Sequence, residues 1–326
     1  MSKSKETPSS SGENNKHNDE VLPDFWNKMS TNITKLSLYN FNVDQQFLNH
    51  LSKYLQTEEC VINELVFDRI NLSNMNYLCC LTSNNKVNKL RLRLCQLKDK
   101  GVDDLLSILD ETNGKTQLKL LYLDCNGITC KGAKRIAKVL RTNRTLESLS
   151  LAKNMIKDEG ALALVNVLST FHLTDDETKW KCMHKQHRSR ILEYLIDLIT
   201  QQSREKQRNM SDNTINDMEI LSIEDEQLKQ KVESMIVSQS HIYLTEKLLK
   251  SGSRFYCPGN FKIANLNISY NRFGVNVLNV IEQILQYQQK VCLVEEGIRH
   301  IKIEGFETDQ KETIYKLIKR KKMQHE

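Results

Sequence analysis

Leu149-Ser-Leu151-Ala-Lys-Asn154-Met-Ile156-Lys-Asp-Glu-Gly160 is the stretch that decides the fold. Two leucines one residue apart point the same way from a strand, because side chains alternate across it. An asparagine in the turn after the strand can bridge backbone groups that burial would otherwise leave unpaired. The pattern L-x-L-x-x-[N, C or apolar]-x-[L, I, V or F] returns at Leu36–Val43, Leu65–Leu72, Leu90–Leu97, Leu121–Ile128 and Leu266–Phe273. The leading leucine stands at 36, 65, 90, 121 and 149, giving steps of 29, 25, 31 and 28 residues. Such a step holds a short strand and a helix of about three turns.

The helical halves are legible as well. Gly101 leads into Val102, Leu105, Leu106 and Leu109; Gly132 into Ile136, Val139 and Leu140; Gly160 into Leu164, Val167 and Leu168. These spacings put one apolar stripe on each helix and leave Lys, Arg, Asp and Glu on the outer face. No single unit can bury both its strand and its helix, so neighbours must stack on a shared core. Asn126, Asn154 and Asn271 occupy the turn position, Cys95 takes it in the third unit, and Phe41 and Ile70 take it in the first two. An amide ladder is therefore expected to be incomplete at the N-terminal end.

The pattern resembles the ribonuclease-inhibitor-like leucine-rich repeat superfamily over residues 33–170 and 260–308. Leu149–Gly160, Phe171-His-Leu-Thr174 and Cys257-Pro-Gly-Asn260 are similar, more narrowly, to the leucine-rich repeat-containing protein 71 family. The wider resemblance implies an α/β leucine-rich repeat solenoid. It would be a short horseshoe with parallel strands inside and helices outside, binding protein partners. The narrower one implies a place in the ciliary or flagellar axoneme, with axonemal or cytoskeletal partners, and a long insertion at this point of the chain.

Between Leu149 and Leu266 the motif does not occur, although the 117 residues would hold about four steps. An α-helical insertion over 171–257 explains the gap, leaving after the fifth helix and returning at Pro258-Gly259, so that strands 149–152 and 266–269 stay neighbours. Thr174-Asp-Asp-Glu177 is a capping box that opens a helix carrying Trp180, His184, His187, Ile191, Tyr194 and Leu198. A polar linker is expected over Gln201–Asp217, then a second helix from Ser222–Asp225 through Leu228, Val232, Met235, Ile242 and Leu249 to Gly252. Leu221, Leu228, Met235, Ile242 and Leu249 recur every seven residues, but Gln239 and Glu246 spoil the seam of a coiled coil. Such helices either pack on the solenoid, stay solvated, or bind a partner helix.

The ends complete the division of the chain. Residues 1–32 read as a disordered polar tail whose Trp26 could cap the first coil, 33–170 as repeats 1–5, and 258–326 as the last repeat or repeats with a capping helix. That helix, from Asp309, would cover the open end with Ile314, Leu317 and Ile318. It finishes in Lys319-Arg320-Lys321-Lys322, which either complements the helix dipole as a solvated end or serves nuclear import or docking on an acidic surface. Whether Ile301–Phe306 forms a seventh strand stays open.

Composition narrows function. A formal charge of +6 from 47 basic and 41 acidic residues over 326 is too mild for a dedicated duplex-DNA binder. Nine cysteines with no C-x-x-C argue against a disulfide framework or zinc knuckle. The chain shows no apolar leader and no membrane span, so a cytoplasmic protein with reduced thiols is expected, with the nucleus as the alternative. No phosphate-binding, hydrolase or metalloprotease motif is present; neither enzyme activity, nor a cofactor, nor a small-molecule substrate is expected. Cys182, His184 and His187 form a metal-like trio, but Cys182 points elsewhere and basic neighbours oppose a cation, so no metal is expected.

The strand residues that face away from the helices stack into columns. One column is Ser37, Val66, Arg91, Tyr122, Ser150, Asn267; the next is Tyr39, Asp68, Arg93, Asp124, Ala152, Ser269. Asp68, Arg93 and Asp124 alternate in sign and are expected to satisfy one another, which disfavours nucleic acid. The candidate protein-binding residues on this concave face are Tyr39, Asp68, Arg91, Arg93, Tyr122 and Asp124, unless the face is merely solvated. The expected function is a non-enzymatic interaction scaffold. The alternatives are a GTPase-activating protein for a small nuclear-transport GTPase, whose family has more repeats and an acidic tail, and a nuclear or RNA-associated adaptor.

Overall fold

The computed structural model describes residues 32–82, 84–109, 117–209, 241–244, 248–291, 296–305 and 309–323. Its main sheet is parallel and takes one strand from each coil: β1 (Lys35–Tyr39), β2 (Glu64–Asp68), β3 (Lys89–Arg93), β4 (Leu120–Tyr122), β5 (Ser148–Ser150), β9 (Asn265–Asn267) and β10 (His300–Lys302). The leading residues Leu36, Leu65, Leu90, Leu121, Leu149, Leu266 and Ile301 pair in one register row. The seventh strand therefore forms, and β5 pairs directly with β9 across the insertion.

Helices return the chain from each strand to the next: α1 (Gln45–Leu55), α2 (Lys98–Leu109), α3 (Cys130–Leu140), α4 (Asp158–Asn166) and, after the insertion, α6 (Val275–Val291). The second coil, which has the shortest step, makes only a 3-10 turn at Tyr77–Cys80. Strand leucines and helix stripes merge into one buried cluster from Val43 to Ile318, with Leu48, Leu51, Leu121, Leu151 and Val277 wholly buried. Each such side chain contributes roughly 1.5–3 kcal/mol. Helix α7 (Asp309–Met323) closes the C-terminal end by burying Ile314 and Ile318 in that cluster. Residues 1–31, with Trp26, lie outside the described residues.

The turn after each strand is built the same way in all seven coils. Four residues past the leading residue the backbone is left-handed, at Asn40, Arg69, Leu94, Cys125, Lys153, Tyr270 and Gly305. Six of these carry a side chain, so the conformation must be held by the residue next along the turn. In the later coils an amide does this: Asn126, Asn154 and Asn271 donate to the carbonyls of Leu92, Leu123 and Leu151, at 2.7, 3.0 and 2.8 Å. In the third coil the Cys95 thiol donates to the equivalent Phe67 carbonyl at 3.3 Å. Ile70 fills the position with buried carbon, whereas Phe41 is half exposed. The ladder is thus incomplete where the sequence leaves it incomplete.

A second cross-coil device comes from the K-D-x-G segments. The Asp99 carboxylate accepts from the Thr129 and Gly132 amides at 2.9 and 3.0 Å, capping the next helix rather than its own. Asp158 accepts in the same manner from the Gly274 amide. Gly160 is needed because a Cβ there would stand 2.8 Å from the Cys130 Cα, a backbone atom that cannot move aside. Gly160→Ala is expected to lower unfolding free energy by about 2 kcal/mol, as overpacking does. Urea denaturation checks this, and an unchanged midpoint would refute it.

The insertion differs from its expected form. It contains a small antiparallel sheet, β6 (Phe171–His172), β8 (Arg254–Cys257) and β7 (Leu249–Ser251), ordered β6-β8-β7. Leu249, assigned by spacing to a helix, lies on an exposed strand, and Ile242 lies in a 3-10 turn. Gly252, in the left-handed region, turns this hairpin and ends the helical alternative. The rest of that second helix, residues 222–240 and 245–247, lies outside the described residues. The capping box forms, with the Thr174 amide on Glu177 Oε2 at 2.8 Å and the Glu177 amide on Thr174 Oγ1 at 3.2 Å. It starts α5 (Asp175–Asn209), which runs through 201–209, where a linker was expected. Trp180 and His184 are half-buried, whereas His187, Ile191 and Tyr194 are exposed.

Candidate functional site

Strand register places the first predicted column as read and the second from Tyr39 to Arg93, while Asp124, Ala152 and Ser269 lie beyond the ends of their strands. Ser37, Val66, Arg91, Tyr122, Ser150 and Asn267 are successive partners, and Lys302 extends the row. A third column, Lys35, Glu64, Lys89, Leu120, Ser148, Asn265 and His300, was not read from the sequence. Its signal was present, because the residue before each leading leucine must share the face with the residue after it.

Glu64 in that column organises the centre of the face. Its carboxylate meets Arg91 Nε at 2.6 Å and Lys35 Nζ at 3.5 Å. Burial alone would raise its pKa, but these two cations outweigh burial and hold it below the usual carboxylate range. Arg91, so fixed, lies 4.3 Å from the centre of the Tyr122 ring in a cation–π stack. Tyr39 is exposed at the N-terminal edge beneath Arg69, 5.3 Å from its ring.

The expected sign alternation holds for one pair only. Arg93 meets Asp68 at 3.2 Å. Asp124 turns away and accepts from the Ser150 hydroxyl and, at 2.9 Å, from the Ala152 amide. The small residues of the fifth coil leave these donors within reach, and a short carboxylate takes them before a flexible arginine. Around Tyr122 and this fifth coil lies a cleft of about 500 Å³, floored by buried Ser148 and Ser150.

Elsewhere, the insertion is fastened to the repeats. Arg141, just past α3, makes a two-pronged pair with Glu177 at 2.7 and 2.6 Å and stacks 4.1 Å from the Phe171 ring. Tyr243 donates to the same carboxylate at 2.7 Å. Burial would raise the Glu177 pKa; the Arg141 guanidinium, the Thr174 amide and the Tyr243 hydroxyl instead hold it down to about 2. In the metal-like trio, Cys182 and His187 are exposed and His184 stacks 4.0 Å from Trp180. Among the described residues no group of three or more His, Cys, Asp or Glu could hold a metal ion, and no helix is long and apolar enough to cross a membrane. Lys319, Arg320, Lys321 and Lys322 lie in the last turns of α7, with Lys319 exposed.

One strand per repeat, an asparagine ladder and a shared core are the features of the leucine-rich-repeat fold. The Leucine Rich repeat family model matches residues 83–106 and 142–165, which span β3 with most of α2, and β5 with most of α4. Over 149 residues the chain is 28% identical to NACHT, LRR and PYD domains-containing protein 14 of Mus musculus, covering 44% of this chain and 15% of that protein. It is 30% identical over 145 residues to the Ribonuclease inhibitor of Mus musculus, covering 43% of this chain and 31% of that one. The chain thus matches less than a third of the length of either relative. Among solved structures, Leiomodin-1 Actin-Binding Site 2 (ABS2) covers 94% of this chain and 90% of its own at 10% identity with a TM-score of 0.29, too low to bear on the fold.

Proposed function

We propose that the protein is a non-enzymatic scaffold, a short horseshoe whose concave strand face binds another protein. The observation that carries this is Arg91: a guanidinium pinned by Glu64 and laid on Tyr122 at the middle of an open parallel face. Pre-ordered arginine and tyrosine anchors lose little entropy on binding, and interface hot spots are built from them. Tyr39, Asp68, Arg93 and Asp124 border this anchor on the same face. Solenoid proteins in general use such surfaces, and Ribonuclease inhibitor, by its name, acts on a protein.

The test is capture of partners by the wild type and by variants on opposite faces. Tyr122→Ala is expected to weaken binding about 30-fold, the effect of one hot spot. Lys134→Glu, on the outer surface of α3, is expected to leave binding unchanged. Partners that survive Tyr122→Ala but not Lys134→Glu would overturn the assignment.

The proposed place of action is the axoneme of a motile cilium or flagellum, with axonemal partners. Its support is the likeness of Leu149–Gly160, Phe171–Thr174 and Cys257–Asn260 to the leucine-rich repeat-containing protein 71 family. Tagged protein in a ciliated cell should follow the axoneme. A signal confined to the nucleus would remove this placement while leaving the fold untouched.

A further inference from the structure

We infer that the segment seated on this face is acidic, with carboxylates that reach Lys89 and Lys302 across the cleft over β5. The inference rests on the strand-face reading above and names the chemistry of its ligand. On the first three coils the carboxylates are already engaged: Glu64 is shared by Lys35 and Arg91, and Asp68 is taken by Arg93. Around the cleft, Glu147 lies 3.7 Å from both Lys119 and Lys262, and Asp124 is turned onto Ser150 and Ala152. Lys302 feels Glu304 only at longer range, because that carboxylate is held by Lys311 and Tyr315. Lys89 and Lys302 make no ion pair among the described residues, and both line the cleft. The charge left over on this part of the face is positive.

The geometry favours a peptide over a nucleic acid. Glu64, Asp124 and Glu147 sit among the cations and would repel a continuous run of phosphates, whereas isolated carboxylates can be spaced to miss them. Lys89 on β3 and Lys302 on β10 are four strand intervals apart, roughly 19 Å at about 4.8 Å each. An extended segment of about six residues spans that distance. It would cross the Tyr122 ring and lie above the serine floor, beside the Asn265 amide that lines the cleft.

Fluorescence anisotropy with labelled octamers tests this on the full chain, using octaglutamate, octalysine, an alternating Gly-Ser peptide and single-stranded octathymidylate. Octaglutamate is expected to bind best and to weaken at least about tenfold from low to high salt. The double variant Lys89→Glu/Lys302→Glu should lose at least about tenfold in octaglutamate affinity, with an unchanged melting temperature because both side chains reach solvent. Octaglutamate binding no better than Gly-Ser or octalysine, octathymidylate binding tighter than octaglutamate, or an unaffected double variant would each overturn the inference. Loss of natural partners by Tyr122→Ala with no response to the lysine reversal would leave the strand face standing and remove only its acidic ligand.

Discussion

Asn154→Ala is expected to lower the unfolding free energy by about 4 kcal/mol. The Asn154 side chain accepts from the Asn126 and Ile128 amides at 3.0 and 3.1 Å and donates to the Leu123 and Leu151 carbonyls, both at 3.0 Å. Removing it strands two amides and the Leu123 carbonyl away from water; the Leu151 carbonyl keeps Asn271 as a donor. Three orphaned buried groups at about 1–3 kcal/mol each set the estimate, toward the lower end because the turn can relax. A domain's whole stability is about 5–15 kcal/mol, so the loss is severe. Urea melts should show a lower midpoint, and a change under about 1 kcal/mol would refute the ladder's role.

Cys95→Ala is the matched control. Its thiol makes the same cross-coil contact but is a weak donor, and its removal leaves the neighbouring Asn126 bonds to Cys95 and Leu97 in place. The expected cost is about 1 kcal/mol. A larger loss for Cys95 than for Asn154 would mean that core volume, rather than amide bonding, holds these turns.

The repeats were legible because stacking forces a period: each coil must return Leu65, Leu90, Leu121 and Leu149 to one register row, and a period survives variation at other positions. Long-range pairing of β5 with β9 came from the same constraint, since Leu266 repeats the signature of Leu149. The site was legible only in outline. Which column a residue joins is fixed by alternation, but the partner it chooses depends on rotamers and on neighbours a whole coil away. Asp124 was paired with Arg93 by column order and is claimed instead by Ser150 and Ala152. The hairpin in the insertion was missed because Leu249 also fits a seven-residue spacing. The competing signal was Gly252 and then Arg254-Phe-Tyr-Cys257, a turn leading into strand-forming residues.

Arg141→Ala is expected to cost about 3 kcal/mol and to release the insertion from the repeats. Arg141 and Glu177 are each mostly buried, with side-chain exposures of 17% and 20%. Deleting one member of such a pair leaves the other charge without its counterion, and that penalty, rather than the worth of the pair, dominates the loss. Hydrogen exchange over the first turns of α5 should accelerate in Arg141→Ala, while the protection of β4 and β5 changes little. The same pair sets a pH dependence. Glu177 titrates near 2 when folded, below the usual carboxylate value of about 4.3 when unfolded, so its contribution is full above the unfolded value. It is lost as pH falls from about 4 toward 2. Glu177→Gln should therefore lie well below the wild type at pH 7, and the gap should narrow as pH approaches 2. A gap that stays constant between pH 7 and pH 2 would show that the carboxylate charge does not hold the insertion in place.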